Sequence, residues 1–389
     1  MVITARRASW RQMRYYPTLE EAISTSRRLK ETNRVVLHPD MDVSLPDAID
    51  CCGPERESEK LAQVLRRFRY WAAPLEAVVI PQATFLPEQS VVFWPDYALC
   101  DELVYDLCHD RTPKLWQPNG KQRQISNWYA TRIVDTPVEA GAHALLHPRW
   151  HNIYTHWFTE FMAALFDAEL DAAGFDHICV PNGPRFQRES LEFTRPDLNK
   201  FKILDRPIHR FEIAVVPTHV FARTWLHPAI APGLLNYAAH IVKNLQAGEA
   251  LPKRPIYLSR EDAKVRRMVN EAELAAALEE IGFQKVVATD LSFAEQVRTF
   301  ANASALVSPH GSGLTNMLFL PEGAPVLELR AMYAGSRGML WDRSYQILAG
   351  LTNHPYSAAV FKNLAGQQEW SIDIPYAVAA AKRLIGASS

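Results

Sequence analysis

The stretch "SPHGSGLTNMLFLPEGAPVLEL", Ser308 to Leu329, decides the reading of this chain. A short apolar run, Ala305 to Val307, leads into two glycines two residues apart, Gly311 and Gly313. A hydroxyl (Thr315), an amide (Asn316), an apolar helix-like run, a turn at Pro321-Glu322-Gly323 and a second strand-like run carrying Glu328 follow. A strand that ends in a glycine-rich loop and opens a helix, Gly313 to about Leu320, lies at the carboxyl edge of a parallel sheet, where ligands gather. The free N–H groups and partial positive charge of a helix N-terminus suit an anion, and glycines let a phosphate approach the backbone. His310, Ser312, Thr315 and Asn316 add side-chain donors. No Lys follows the glycines and the spacing is not GxGxxG, so a triphosphate-hydrolysing role is disfavoured. The plain alternative is a tight turn.

Working outward, the last third alternates strand and helix. IYLS (256–259), KVVAT, ALVS and APVLEL read as strands. Asn270 with Glu273, and Ser292 with Glu295, read as capping boxes, and Gly282 as a left-handed helix stop. Such alternation means a parallel sheet with right-handed crossovers. Further upstream, AHALL, HICVP and EIAVVP are strand-like, residues 153–170 form a helix of about five turns, and residues 231–246 another. LPKRP (251–255) reads as a linker. Leu75 to about Tyr105 looks like a β-meander. Residues 18–30, capped by Thr18, and residues 57–72 look like amphipathic helices. The fold class is therefore α/β, with a helical extension over 1–75, a Rossmann-like domain with β-meander over 76–250, and a C-terminal Rossmann-like domain over 251–389.

Composition sets outer limits. The chain has 389 residues, 48% hydrophobic and 22% charged, with a net charge of −1. That is core enough for two or three domains, without the global positive field expected of a nucleic-acid or membrane binder. No apolar run suggests a membrane span. The basic stretch Met1–Arg14 lacks the apolar segment of a signal peptide, and a peripheral membrane or partner contact there is a minor alternative. Five cysteines, Cys51, Cys52, Cys100, Cys108 and Cys179, fit reduced thiols, and a cytoplasmic location is expected.

Two further clusters carry chemistry. Ser259 to Glu271 follows the first C-terminal strand, and Arg260, Arg266 and Arg267 could neutralise a diphosphate. Interleaved Glu261 and Asp262 make a solvated mixed-charge loop the alternative. In HNIYTHWFTE, His156 and Glu160 share a helix face and could act as general base; a half-buried structural pair is the alternative. Glu328, at a strand end, could accept ribose hydroxyls. Asp40-Met41-Asp42 is a DxD far from these motifs, and no metal site is expected.

IYTHWFTE, YLSREDAKVRRMVNEAEL and VSPHGSGLTNMLFLPEGAPVLEL together resemble glycosyltransferase family 61, over roughly residues 140–335. The family comprises protein O-linked N-acetylglucosamine transferases, plant xylosyl- and arabinosyltransferases and bacterial capsular-polysaccharide enzymes. The resemblance implies two Rossmann-like domains facing across a cleft (the GT-B architecture) and inverting, metal-independent transfer from a nucleotide-diphosphate sugar to a glycan or other hydroxyl acceptor. It also implies that Arg260, Arg266, the loop His310, Gly311, Ser312, Gly313, Leu314, Thr315 and Asn316, and Glu328 contact the donor. No cofactor beyond that donor is implied. The alternatives are a nucleotide-sugar epimerase and a non-catalytic carbohydrate- or nucleotide-binding protein.

Overall fold

The computed structural model describes residues 14–16, 33–87, 91–93, 98–100, 135–148, 150–172, 174–193, 200–218, 226–245, 253–263, 266–332, 343–362 and 369–386. The expected helix at 18–30, the basic stretch before Arg14, Cys108, residues 101–105 of the meander and the first two linker residues lie outside these. The strands in chain order are β1 (Arg14–Tyr16), β2 (Asn33–His38), β3 (Met41–Ser44), β4 (Asp50–Cys52), β5 (Arg69–Ala72) and β6 (Leu75–Leu86). β7 (Val91–Phe93), β8 (Ala98–Cys100), β9 (Val138–Leu145), β10 (His177–Pro181), β11 (Phe201–Leu204) and β12 (His209–Pro217) follow. β13 (Arg254–Ser259), β14 (Gln284–Val287), β15 (Ala303–Pro309), β16 (Val326–Met332) and β17 (Tyr356–Lys362) complete the set.

The chain divides into two compact units. The first draws on residues 1–40, 73–184 and 195–223, the second on 41–72, 185–194 and 224–389. These boundaries differ from those read in the sequence. Residues 41–72 do not join residues 1–40 in a separate extension, because β4 adds an edge strand to the sheet of the second unit, pairing parallel with β17. The helix Ala231–Leu245 also belongs to the second unit, with Leu234, Tyr237, Ala238 and Ile241 buried. Neither pairing leaves a local trace in the sequence.

The first unit is built on a mixed sheet of order β11-β10-β9-β12-β6-β2, with β7 beside β6. β9, β10, β11 and β12 run parallel, and β6 is antiparallel to β12. β6 is one twelve-residue strand, longer than the short runs expected, and it pairs antiparallel with β7, as expected of a meander. Its buried face, with Val78, Ile80, Ala83 and Phe85, packs with Leu145, Phe211 and Val216. The expected five-turn helix divides. Tyr154–Leu165 is continuous, but Trp157–Met162 is wound as π-helix. The chain then breaks at Phe166, and Asp167 starts the short helix Ala168–Ala172 by accepting the Glu169 N–H at 2.9 Å. Asp is a good N-cap because its carboxylate takes an otherwise orphaned N–H.

The second unit holds an all-parallel sheet of order β14-β13-β15-β16-β17-β4. Parallel strands are covered on both faces and so read as continuous apolar runs; β15 is buried at six of its seven positions. The helix Glu271–Glu279 leads from β13 to β14, and Phe293–Ala301 leads from β14 to β15. Leu274, Leu278, Val297 and Phe300 from these helices are fully buried. Ser292 and Glu295 form the expected capping box, and Gly282 takes a φ of +95° where the preceding helix stops. Asn270 does not cap with its side chain. It instead donates to the Ile372 carbonyl at 2.8 Å and accepts the Ile372 N–H at 3.0 Å, a more distant bond than the local box. Residues 57–72 are not a single helix: Arg56–Val64 is helical, and β5 follows as one arm of an antiparallel ribbon with β3. No helix among the described residues is long and apolar enough to cross a membrane.

Candidate functional site

The strand order of the second unit contains the pattern 2-1-3-4-5 of a doubly wound sheet, whose switch point lies between the first and third strands. Here those strands are β13 and β15, which pair directly. β13 ends at Ser259, so Arg260 follows it; β15 ends at Pro309, so His310 and Gly311 follow it. The topology thus brings two of the sequence motifs, fifty residues apart, to one sheet edge.

The contact between them is specific. Arg260 Nη1 donates to the His310 carbonyl at 2.5 Å. The guanidinium lies over Gly311, where an added Cβ would fall 2.6 Å from Nε and 2.8 Å from Cζ. Gly311 has an extended backbone, so it is the space, not the dihedral, that requires glycine. It caps an eight-residue 3₁₀ helix, Ser312–Phe319, whose ladder starts with the Leu314 N–H donating to the Gly311 carbonyl at 3.0 Å, so the Ser312 and Gly313 N–H groups precede it. Ser312 and Gly313 are partly exposed there.

A Cβ on Gly313 would meet Leu258 Cδ2 at 2.8 Å, so packing against β13 also favours glycine at this position. Leu314, Thr315 and Asn316 are fully buried. The Asn316 amide donates to the Gly313 carbonyl at 3.1 Å and ties the 3₁₀ turn to itself. Arg266 is half-buried with a φ of +57°, and its carbonyl accepts from the Trp370 indole N–H at 3.1 Å. Arg267 is exposed and pairs with Glu369 at 2.9 Å.

Glu328 departs most from the expectation of a ribose contact. It is completely buried, pairing on β16 beneath the loop. Its carboxylate accepts from His310 Nδ1 at 2.5 Å, from the Tyr356 hydroxyl at 2.5 Å, and from Arg330 Nη1 at 3.0 Å to both oxygens. Burial pushes its carboxyl up, but Arg330 and His310 outweigh it and hold it below the usual range. The same surroundings drive the Tyr356 phenol well above its ordinary value, through burial first and Glu328 second. Glu328 therefore supports the loop from below by fixing the His310 ring. The sequence reading missed Arg330 and Tyr356. Glu328 and Arg330 sit two apart on an otherwise apolar strand, hence on one face, and that is a signal for a buried pair; Tyr356 has none.

In the first unit, the π-helical turn places His156 Nδ1 2.6 Å from Glu160 Oε1. Glu160 is buried at 4% exposure, while the His156 side chain is 23% exposed. Burial raises the Glu160 carboxyl above its usual range, and His156 partly offsets that. Trp150 packs edge-on against the imidazole at 5.0 Å. π-Helical turns recur at functional sites, and a half-exposed imidazole backed by a buried carboxylate can relay a proton.

Asp40 and Asp42 are both exposed, at and beside the start of β3. Among the described residues no group of three or more His, Cys, Asp and Glu is placed to hold a metal. Cys51, Cys52 and Cys179 are buried free thiols, and burial pushes Cys51 up to about 12.

Residues 154–327 match the family model described as Glycosyltransferase 61, so the resemblance carried by the motifs holds over that stretch. Three relatives illustrate its range. The EGF domain-specific O-linked N-acetylglucosamine transferase of Gallus gallus is 27% identical over 202 residues, covering 46% of this chain and 38% of the relative. The human protein O-linked-mannose beta-1,4-N-acetylglucosaminyltransferase 2 is 49% identical over 67 residues, 16% of this chain and 12% of the relative. The alpha-1,3-arabinosyltransferase XAT2 of Oryza sativa subsp. japonica is 21% identical over 249 residues, 56% of this chain and 42% of the relative. The chain thus spans less than half the length of each of these three relatives.

Glu328→Gln is expected to leave Arg330 buried without its counter-charge and to cost about 3–5 kcal/mol, read by urea denaturation at neutral pH. Because Glu328 has a depressed folded value, its contribution is present above the unfolded value near 4.5 and fades as pH falls through the folded one. The gap between wild type and variant should narrow accordingly in acid; a gap that stays constant would show that the carboxylate charge is not what the network holds.

Proposed function

We propose that this chain is an inverting, metal-independent glycosyltransferase that moves a sugar from a nucleotide-diphosphate sugar to a hydroxyl of a glycan or glycan-bearing acceptor. The observation that carries the reading is Arg260. Its guanidinium is fixed over Gly311 by the bond to the His310 carbonyl, at the switch point of a parallel sheet and within the family 61 stretch. A planar cation beside the leading N–H groups of a helix start matches two phosphate groups. Both are preorganised, so they stabilise the negative charge that builds on the diphosphate as the glycosidic C–O bond breaks. The relatives named above as transferases of N-acetylglucosamine and arabinose support the reaction class.

In an inverting displacement the acceptor oxygen attacks the anomeric carbon from the face opposite the leaving diphosphate, and a base takes the hydroxyl proton. The His156–Glu160 pair is the base in this reading. His156 presents the partly exposed imidazole, and Glu160 holds its Nδ1 and balances the imidazolium that forms. The pair shares one proton system, so its two titrations belong to it jointly.

Arg260→Ala is expected to weaken nucleoside-diphosphate affinity by roughly 10–100-fold, the worth of a charge-assisted bond. Gly311→Ala should fold and do the same by displacing the guanidinium, while Gly313→Ala, crowding Leu258, should lower the melting temperature and spare affinity. Calorimetry on the three folded variants checks this, and unchanged affinity in Arg260→Ala would overturn the donor site.

Turnover of a nucleotide sugar is expected to survive EDTA. Complete loss, restored by Mn²⁺ or Mg²⁺, would return Asp40 and Asp42 to consideration.

Glu160→Gln or His156→Ala should lower kcat by about 10²–10⁴-fold with donor affinity retained. Since the Glu160 carboxyl is raised by burial, the acid limb of the wild-type pH profile should lie above 4.5, and it should shift in Glu160→Gln. A structural pair would instead show a lower melting temperature with normal turnover per folded molecule.

A further inference from the structure

Arg260 must be held as well as present, and the residue that holds it is not one of the exposed donors. Glu271 is the first residue of the helix Glu271–Glu279 and is 4% exposed. Its Oε1 accepts three hydrogen bonds: from the Tyr257 hydroxyl at 2.9 Å, from Ser259 Oγ at 2.8 Å and from the backbone N–H of Arg260 at 2.6 Å. Its Oε2 is buried and has no hydrogen-bond partner among the described residues. A carboxylate placed for stability would share its donors between both oxygens, because a bare buried acceptor is costly. Here every donor converges on the oxygen that faces the end of β13. A local rule broken without an evident gain in stability points to a functional demand on position.

The demand is legible from what the three donors do. Tyr257 and Ser259 lie two apart on β13, so their side chains leave the sheet on one face and both meet Glu271. Ser259 Oγ also accepts the Glu261 N–H at 3.2 Å, so the backbone is pinned on both sides of Arg260. The side chain of Arg260 then reaches across to the His310 carbonyl and over Gly311. The connected path is helix start, strand end, guanidinium, glycine loop. Glu271 also sits where the helix dipole favours an anion, which offsets part of the cost of its burial.

We infer that Glu271 is a positioning residue for the nucleotide-diphosphate site: its buried carboxylate fixes the backbone at Arg260 so that the guanidinium stays over the Gly311 loop, and it acts on the ligand only through Arg260. This rests on the donor-site reading above and names the residue that preorganises it.

The test is a double-mutant cycle between positions 271 and 260, with calorimetric affinity for whichever of UDP, GDP, CDP and ADP the wild-type chain binds most tightly. Glu271→Ala removes the acceptor. Glu271→Asp keeps the charge at the helix start but withdraws the oxygen, and serves if the alanine variant does not fold. Either should weaken affinity about 10-fold or more in the wild-type background and add little in the Arg260→Ala background, since the lost effect passes through Arg260. Glu271→Gln, which retains an acceptor oxygen for the three donors, should restore most of the affinity. Glu273→Gln, an exposed charge on the same helix turn, should leave it unchanged. Losses that add fully with Arg260→Ala, or unchanged affinity in folded Glu271→Ala or Glu271→Asp, would overturn the inference while leaving the donor site standing. If none of the four nucleotides binds, or Arg260→Ala binds as wild type does, the donor-site reading fails and this inference with it.

Discussion

A carboxylate with no contact with water, Glu328, sets the terms for the second unit. A buried charge is tolerated only when paired and hydrogen-bonded. Glu328 is satisfied by Arg330 from its own strand, Tyr356 from the next, and His310 from the loop above. Each partner comes from a different part of the chain, so the network holds only when β15, β16 and β17 are in register. The loop that follows β15 is thus tied to the middle of the sheet through the ring of its first residue. The position of that loop follows from satisfying one charge.

The other cation of the site is held by the same logic with the signs reversed. Arg260 has its backbone fixed by one buried carboxylate, Glu271, and its guanidinium fixed by a carbonyl of the loop. Two buried carboxylates therefore shape the candidate site: one under His310, one behind Arg260. Rigid donors already in place cost no reorganisation when charge develops, which is where most electrostatic catalysis comes from. In the first unit a third buried carboxylate, Glu160, backs His156 in a widened helical turn. The recurring device is a buried acid that orients a more exposed base or cation.

Local signals in the sequence were read well where the physics is local. The Ser292–Glu295 box, the Gly282 stop and the alternation of β13 to β16 with their helices depend on residues a few positions apart. The loop from His310 and the Ser259–Arg260 step were recognisable because glycines, hydroxyls and cations follow strands. Asn270 misled because its side chain found the distant Ile372 backbone instead of its own helix. The helix at 153–170 misled because Asp167, read as an ordinary helix residue, caps a new helix.

What the sequence by itself determined is the α/β alternation, the strand ends that carry Arg260 and His310, and the i, i+4 pairing of His156 with Glu160. Tertiary structure alone decided the rest. It made β4 an edge strand of the second unit, because backbone pairing with β17 has no signature in Asp50-Cys51-Cys52. It assigned Gly311 to make room for Arg260 and Gly313 to make room for Leu258, since two glycines are alike until their neighbours are known. And it put Glu328 wholly inside. A strand-end carboxylate reads as solvent-facing until partners such as Arg330 and Tyr356, one of them 28 residues away, supply the charge and hydrogen bonds that make its burial affordable.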